Sequence, residues 1–484
     1  MIGCGSMGGG MALLFAEHDI TVYLEDPSEE QVDSVIQSAK KDGIGHRVEK
    51  TQDYQEMCQK LDSPRVFVFS LPHGNVGDSV VDGLQRYLDI GDIIIDASNE
   101  NWQNTQRRQG KLAAQGVCYI GMGVSGGYQA ARRGPSMCPG GDQPALKQVM
   151  PLLEKVCAKD SKGRPCVGNV GTGGCGHYVK MIHNGIEQAM MSAVAEAFQV
   201  MNVGLGMTLD EISEAFARWN TEGELRNTFL VSIAADICKT RDESGKLVLP
   251  AIQDKVVQDT DDTEGTGIWT NIEAIRLHIP VPSIATAHFL RLASGDRAQR
   301  VHAKETSKHH ETIHKIDQDR KEFLEDLRLA LYGACVASYV QGLKIIDKAD
   351  KENNWHINFL TVTQIWRAGC IIQADTITDL MEEVYTSNGT DKERNPLFSR
   401  SFMDELNKTY LPLRRVVARC VETNAVIPSF SATLEYMKYS SNTQLPTDFY
   451  EAELDYFGKH MFDLKSDPPG KPVTGTHHFE WKPA

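Results

Sequence analysis

Met1-Ile2-Gly3-Cys4-Gly5-Ser6-Met7-Gly8 opens the chain, and its reading decides the fold. Gly3, Gly5 and Gly8 match G-x-G-x-x-G, a pattern that is weak alone and informative in the right surroundings. A helix-like run follows (Met7 to His18), then the strand-like ITVYLE (Ile20 to Glu25), then acids at Glu25 and Asp26. Glycines so placed let the backbone approach a pyrophosphate at a helix N-terminus. Gly3, Gly5, Ser6, Met7 and Gly8 are therefore candidate cofactor contacts, joined by Leu71 and Pro72 at the end of a later strand. Only Met1 and Ile2 precede the loop, so most of its strand is expected to be missing from the chain as given. Asp26 lies eighteen residues past Gly8, where an acid binds a ribose 2′-hydroxyl and repels a 2′-phosphate. With Pro27 and Ser28 after it and no arginine nearby, it predicts NAD in preference to NADP.

Further strands are expected at Arg65 to Pro72, Asp92 to Ser98 and Val117 to Ser125, alternating with helical stretches. Continuous apolar runs of this kind suit a parallel sheet covered on both faces. After a glycine-rich hinge (Gly168 to Gly176) the periodicity becomes helical, as in Tyr178 to Val203, Leu209 to Trp219 and Lys321 to Lys348. The fold class expected is an α/β N-terminal Rossmann-like doubly wound domain (residues 1–174), a large all-α domain (175–440) and an extended C-terminal tail (441–484). The 484 residues suffice for several cores, and a net charge of −15 argues against nucleic acid as a partner. No apolar run reaches membrane-spanning length. Eleven cysteines without C-x-x-C or finger spacing suit reduced thiols in the cytoplasm, and no metal site is expected.

HYVKMIHNGIEQAMM (His177 to Met191) carries the densest chemistry. Lys180, His183, Asn184 and Glu187 fall at i, i+3, i+4 and i+7, an arc of about 100° on a helix bordered by Val179, Met181, Ile182 and Ile186. Spacing alone fits a solvated Lys–Glu face as well as a buried group that serves a ligand. Gly185 inside a helix would admit close approach of another element.

At these residues the chain closely resembles the 6-phosphogluconate dehydrogenase family, almost end to end. VSGGYQAARRGPSMCPGG (Val124 to Gly141), GHYVKMIHNGIE, LPAIQDKVVQDTDDTEGTGIWT and DYFGKH (Asp455 to His460) resemble that family's motifs, in order. The resemblance implies oxidative decarboxylation, with Lys180 as general base and Glu187 as general acid. Ser125, Gly126, Gly127, His183 and Asn184 would hold the substrate, and Asn99 would stand near both nicotinamide and substrate. His460 would reach the partner's site, which implies a homodimer that exchanges tails. Departures gather where the family grips phosphate: those positions read Gln188, Glu264, Arg291 and Leu454, and one cation of the set survives. The family's usual cofactor is NADP, read by an N-R-T triplet that is Asp26-Pro27-Ser28 here. The expectation is a small β-hydroxy acid substrate without a strong phosphate anchor. The alternatives are 6-phosphogluconate itself, with Arg132, Arg133 or Lys459 compensating, and a non-catalytic dinucleotide-binding protein.

Overall fold

The computed structural model describes residues 1–259, 265–307, 312–387, 394–468 and 475–482. Met1–Leu434 form one compact unit and Glu435–Ala484 a second. In the first, strands β1 (Val22–Leu24) and β2 (Val48–Lys50) pair in parallel. A four-stranded sheet runs β3 (Val66–Phe69), β4 (Ile93–Asp96), β5 (Cys118–Ser125), β6 (Ser136–Gly141), parallel except for β6. Ile2 joins the two sheets. It bridges in parallel to Glu25 and to Phe69, so the two residues ahead of the glycine loop supply the stub of a strand. Successive side chains of β3 and β4 enter opposite clusters. Val68, Ile93 and Ile95 pack with helix α1 (Ser6–Glu17), while Phe67, Phe69 and Ile94 pack with Val81, Leu84 and Leu112. Two strands escaped the sequence reading. VEK is short and polar, and SMCPGG holds a proline and two glycines that argue against a strand; Pro139 is tolerated because β6 is an edge.

The helical part is built around α2 (Cys175–Gln199), α3 (Thr266–Arg276), α4 (Pro282–Gly295) and α5 (Arg320–Asn353). The run expected to stay helical to Val203 ends as an α-helix at Gln199 and continues through one π-turn, Val200–Gly204. By length and composition α5 could cross a membrane, yet 89% of its most apolar window is buried, so it is the core helix of this part. The α2 helix lies directly on β5 and β6 because both surfaces lack side chains at the crossing. A Cβ on Gly176 would stand 2.1 Å from Gly121 O, and one on Gly123 would stand 2.1 Å from Lys180 Cβ. At Gly185 the sequence expectation holds: Thr270 of α3 sits there, 2.5 Å from where a Cβ would project, and bonds Met181 O at 2.9 Å.

The glycine-rich stretch read as a hinge is clamped. Thr172 N donates to Trp355 O at 2.8 Å, and Gly141 N donates to Gly171 O at 3.1 Å. Beside it Trp102, Tyr178 and Trp355 form one ring cluster with centroids 5.0–5.8 Å apart.

Farther along α2, Glu196 caps the first turn of the helix Pro428–Ser440. Its carboxylate accepts from Ser429 N (2.6 Å) and Phe430 N (2.9 Å) and takes the Ser192 hydroxyl at 3.3 Å. Burial pushes its pKa from 4.5 up to about 7, against the pull of those donors. The folded state therefore holds this proton more tightly than the unfolded chain does. The stabilising share is full below pH 4.5 and is lost as pH rises through 7. Urea midpoints of wild type and Glu196→Gln should accordingly diverge between pH 5 and pH 8, wild type losing on the order of 2–3 kcal/mol relative to the variant. Parallel profiles would show that Glu196 does not titrate in this range.

In the second unit, the helix Thr447–Gly458 presents buried Asp455. Asp455 accepts from Met461 N, Phe479 N and Trp481 Nε1 and pairs with His478, which folds the last segment back on itself.

Candidate active site

The first half of α2 brings the expected polar arc together on the edge of the sheet. Lys180 Nζ donates to Asn184 Oδ1 at 2.6 Å and lies 3.4 Å from His183 Nδ1. His183 Nε2 is 3.0 Å from Ser125 Oγ at the end of β5, and its Nδ1 is 3.6 Å from Glu187 Oε2. Asn184 Nδ2 donates to Thr266 Oγ1 at 3.0 Å. This is a buried group and not a solvated face: Lys180 is 7% exposed and His183 1%. Burial lowers the Lys180 pKa, with Glu187 pulling the other way. Burial and then the Lys180 charge hold the His183 ring well below its usual range, so the imidazole is neutral. Burial thus moves the lysine toward the neutral form that can act as a base and keeps the imidazole as a neutral hydrogen-bonding partner.

Gly126 (φ 107°) and Gly127 (φ 70°) turn the chain sharply beside Ser125, a conformation that favours glycine. Asn99 is exposed at the C-terminal end of β4. Ser98 Oγ beside it takes Leu71 N at 3.0 Å, bringing Leu71 and Pro72 to the same edge. Gly3 (φ 93°) packs on Ser70 O, and α1 begins at Ser6 with no side chain capping its first turn. Uncapped backbone N–H groups at a glycine turn fit the pyrophosphate of a dinucleotide. The Asp26 carboxylate points inward: Oδ2 accepts from Cys4 N at 2.7 Å and Oδ1 from Ser28 N at 2.8 Å.

Gln188 is buried against Gly267 of α3, with its Oε1 3.3 Å from His288 Nδ1 of α4. Arg291 lies one turn beyond His288 on α4. Glu264 lies outside the described residues. His460 and Leu454 belong to the second unit. Arg132 is committed to Glu17 and Asp42 and does not serve as a spare cation. Two contributors went unnoticed in the sequence. Thr266 lies within the quoted G-T-G motif. Trp366, whose ring centroid is 6.2 Å from that of His183, lies in a stretch with no periodic signal.

A dinucleotide fold whose sheet edge meets a buried lysine–histidine–amide group defines a nicotinamide-dependent dehydrogenase. Residues 1–171 match the NAD binding domain of 6-phosphogluconate dehydrogenase, and residues 176–481 match its C-terminal domain. The chain belongs to the 6-phosphogluconate dehydrogenase family, as an NAD(P)-dependent decarboxylating oxidoreductase. It is 41% identical to the decarboxylating 6-phosphogluconate dehydrogenase of Emericella nidulans, covering 99% of this chain and 100% of that one. The Staphylococcus aureus enzyme of the same name is 34% identical, covering 99% and 98%. The structure superposes on Plasmodium falciparum 6-phosphogluconate dehydrogenase with a TM-score of 0.90, at 31% identity and 99% of both chains. That protein was solved in apo form, with its cofactor NADP+ and with its substrate 6-phosphogluconate.

The expectation of NAD over NADP is corrected by this relative, which takes NADP+. Asp26, expected to discriminate at the ribose, accepts from Cys4 N and Ser28 N, so its two oxygens brace the glycine loop and the following turn and share its charge with their N–H groups. Asp26→Ala should therefore raise KM for NADP and for NAD alike, by about 5- to 20-fold, as lost charge-assisted backbone bonds loosen the loop. A variant that improved NADP selectively would restore Asp26 to the role of discriminator.

Proposed function

We propose that the chain oxidises and decarboxylates 6-phosphogluconate with NADP+. The buried Lys180–His183–Asn184 group against Ser125 is the observation that carries this reading. Lys180, whose pKa burial lowers, takes the proton of the C3 hydroxyl when in its neutral form. The nicotinamide of a cofactor held at the glycine loop would supply the acceptor for the hydride from the same carbon. The resulting β-keto acid loses CO2 as Lys180 returns its proton to the C3 oxygen, and Glu187 protonates the carbon that bore the carboxylate in the enediol so formed. Ser125, Gly126, Gly127, His183 and Asn184 hold the carboxylate and hydroxyls, with Asn99 beside them. Arg291 and Gln188 lie toward the phosphate end, and His460 comes from the partner of a homodimer with exchanged tails. Residues 1–174 serve the cofactor, 175–440 the substrate and 441–484 the partner. Eleven unpaired cysteines suit a cytoplasmic setting.

A second reading, an unphosphorylated β-hydroxy acid, is favoured by Gln188 and Leu454, neither of which can offer charge to a phosphate. The test is NADP reduction with 6-phosphogluconate and with gluconate, with CO2 measured in parallel. Rapid turnover of 6-phosphogluconate with equimolar CO2 supports the first reading. Equal turnover of both acids supports the second.

A further inference from the structure

The His73 imidazole stands edge-on to the Trp269 indole, with centroids 5.2 Å apart and planes at 87°. The two rings come from opposite sides of the site. His73 lies in the turn after β3 whose Leu71 abuts Gly3 of the glycine loop. That turn is held on both sides. Leu71 N donates to Ser98 Oγ, and Gly74 N donates to Glu100 Oε2 at 3.0 Å. Glu100 is itself buried and bound by Arg108 Nη1 at 2.8 Å. Trp269 is in the first turn of α3, with the Gly265 backbone against its ring. Three residues before it, Thr266 accepts Asn184 Nδ2, and Asn184 Oδ1 accepts Lys180 Nζ. One ring contact thus separates the cofactor turn from the helix that positions the amide beside the lysine.

We infer that His73 and Trp269 are positioning residues that make cofactor and substrate bind cooperatively, an inference that rests on the function proposed above. A cofactor seated against the Leu71–Gly74 turn fixes His73. His73 fixes the Trp269 ring and with it the first turn of α3, so Asn184 and Lys180 are ordered before substrate arrives. The second ligand then meets a smaller ordering cost, and by linkage each ligand tightens the other.

The experiment is a thermodynamic cycle. NADPH affinity is read from nicotinamide fluorescence with and without 6-phosphogluconate, for wild type, His73→Ala, Trp269→Ala and the double variant. An edge-to-face pair is worth about a 2- to 10-fold effect, so 6-phosphogluconate should tighten NADPH by that factor in wild type. Each single variant should lose most of the factor, and the double should lose no more than either. Trp269→Phe should retain part of it, because a phenyl ring still offers a face. His73 is exposed, so His73→Ala should keep its melting temperature, and a purely structural contact would not move the coupling. An unchanged factor in His73→Ala, additive losses, or no coupling in wild type would overturn the inference. If wild type binds NADPH but not 6-phosphogluconate, the proposed function fails and this inference fails with it. If wild type binds both and His73→Ala matches it, only this inference fails.

Discussion

Lys180→Met should lower kcat by about 10²- to 10⁴-fold while NADPH still binds with near wild-type affinity. The amine is the group of the buried arc whose pKa burial brings down from its ordinary value, which favours the neutral form that can take a hydroxyl proton and return it. The sign of the pH dependence follows. Only the neutral amine is a base, so the wild-type rate should fall as pH drops through that lowered pKa. Lys180→Arg keeps charge and length but stays protonated, and should be as inactive as the methionine variant. Steady-state turnover with a parallel fluorescence titration of NADPH separates loss of chemistry from loss of binding. A Lys180→Met enzyme within about 10-fold of wild type would move the base to another residue, with His183 next in line by distance.

Gly176→Ala should destabilise the protein by about 3 kcal/mol or more and give little soluble enzyme. The added methyl would stand 2.1 Å from Gly121 O, 2.5 Å from Cys138 O and 2.7 Å from Gly140 N. All three are backbone atoms of β5 and β6, so no rotamer change relieves the overlap. The α2 helix would have to lift from the sheet and carry Lys180 with it. Gly110→Ala is the control. Gly110 lies inside the helix Trp102–Ala113, and a methyl added there would meet nothing within 4 Å. Alanine at that position should stabilise by up to about 1 kcal/mol. Urea midpoints of the two variants would settle the contrast. A Gly176→Ala protein within about 1 kcal/mol of wild type would contradict the close crossing.

Features carried by local pattern were legible in the sequence. The glycine loop, four strands and the arc from Lys180 to Glu187 are periodic or contiguous, and all stand in the structure as elements. Aim and partnership were not legible. Residue type puts a carboxylate at Asp26, but only the folded loop shows that its oxygens turn to Cys4 N and Ser28 N. The amide of Asn184 was foreseen on the helix face. Its acceptor Thr266 lies 82 residues away and no spacing rule could pair them. Glycine at Gly168 to Gly176 reads as freedom in sequence. In the fold it is room for Trp102 and Trp355, since glycine permits both looseness and close approach.

That last contact reaches beyond the site. Trp102 belongs to the nucleotide-binding half, Tyr178 to the catalytic helix and Trp355 to the segment after α5, and the three rings share one buried surface. Neither half can complete that surface alone. Heating should therefore melt both in a single cooperative transition, and residues 1–174 expressed by themselves should expose the Trp102 ring to water and aggregate, despite carrying every strand of the nucleotide fold.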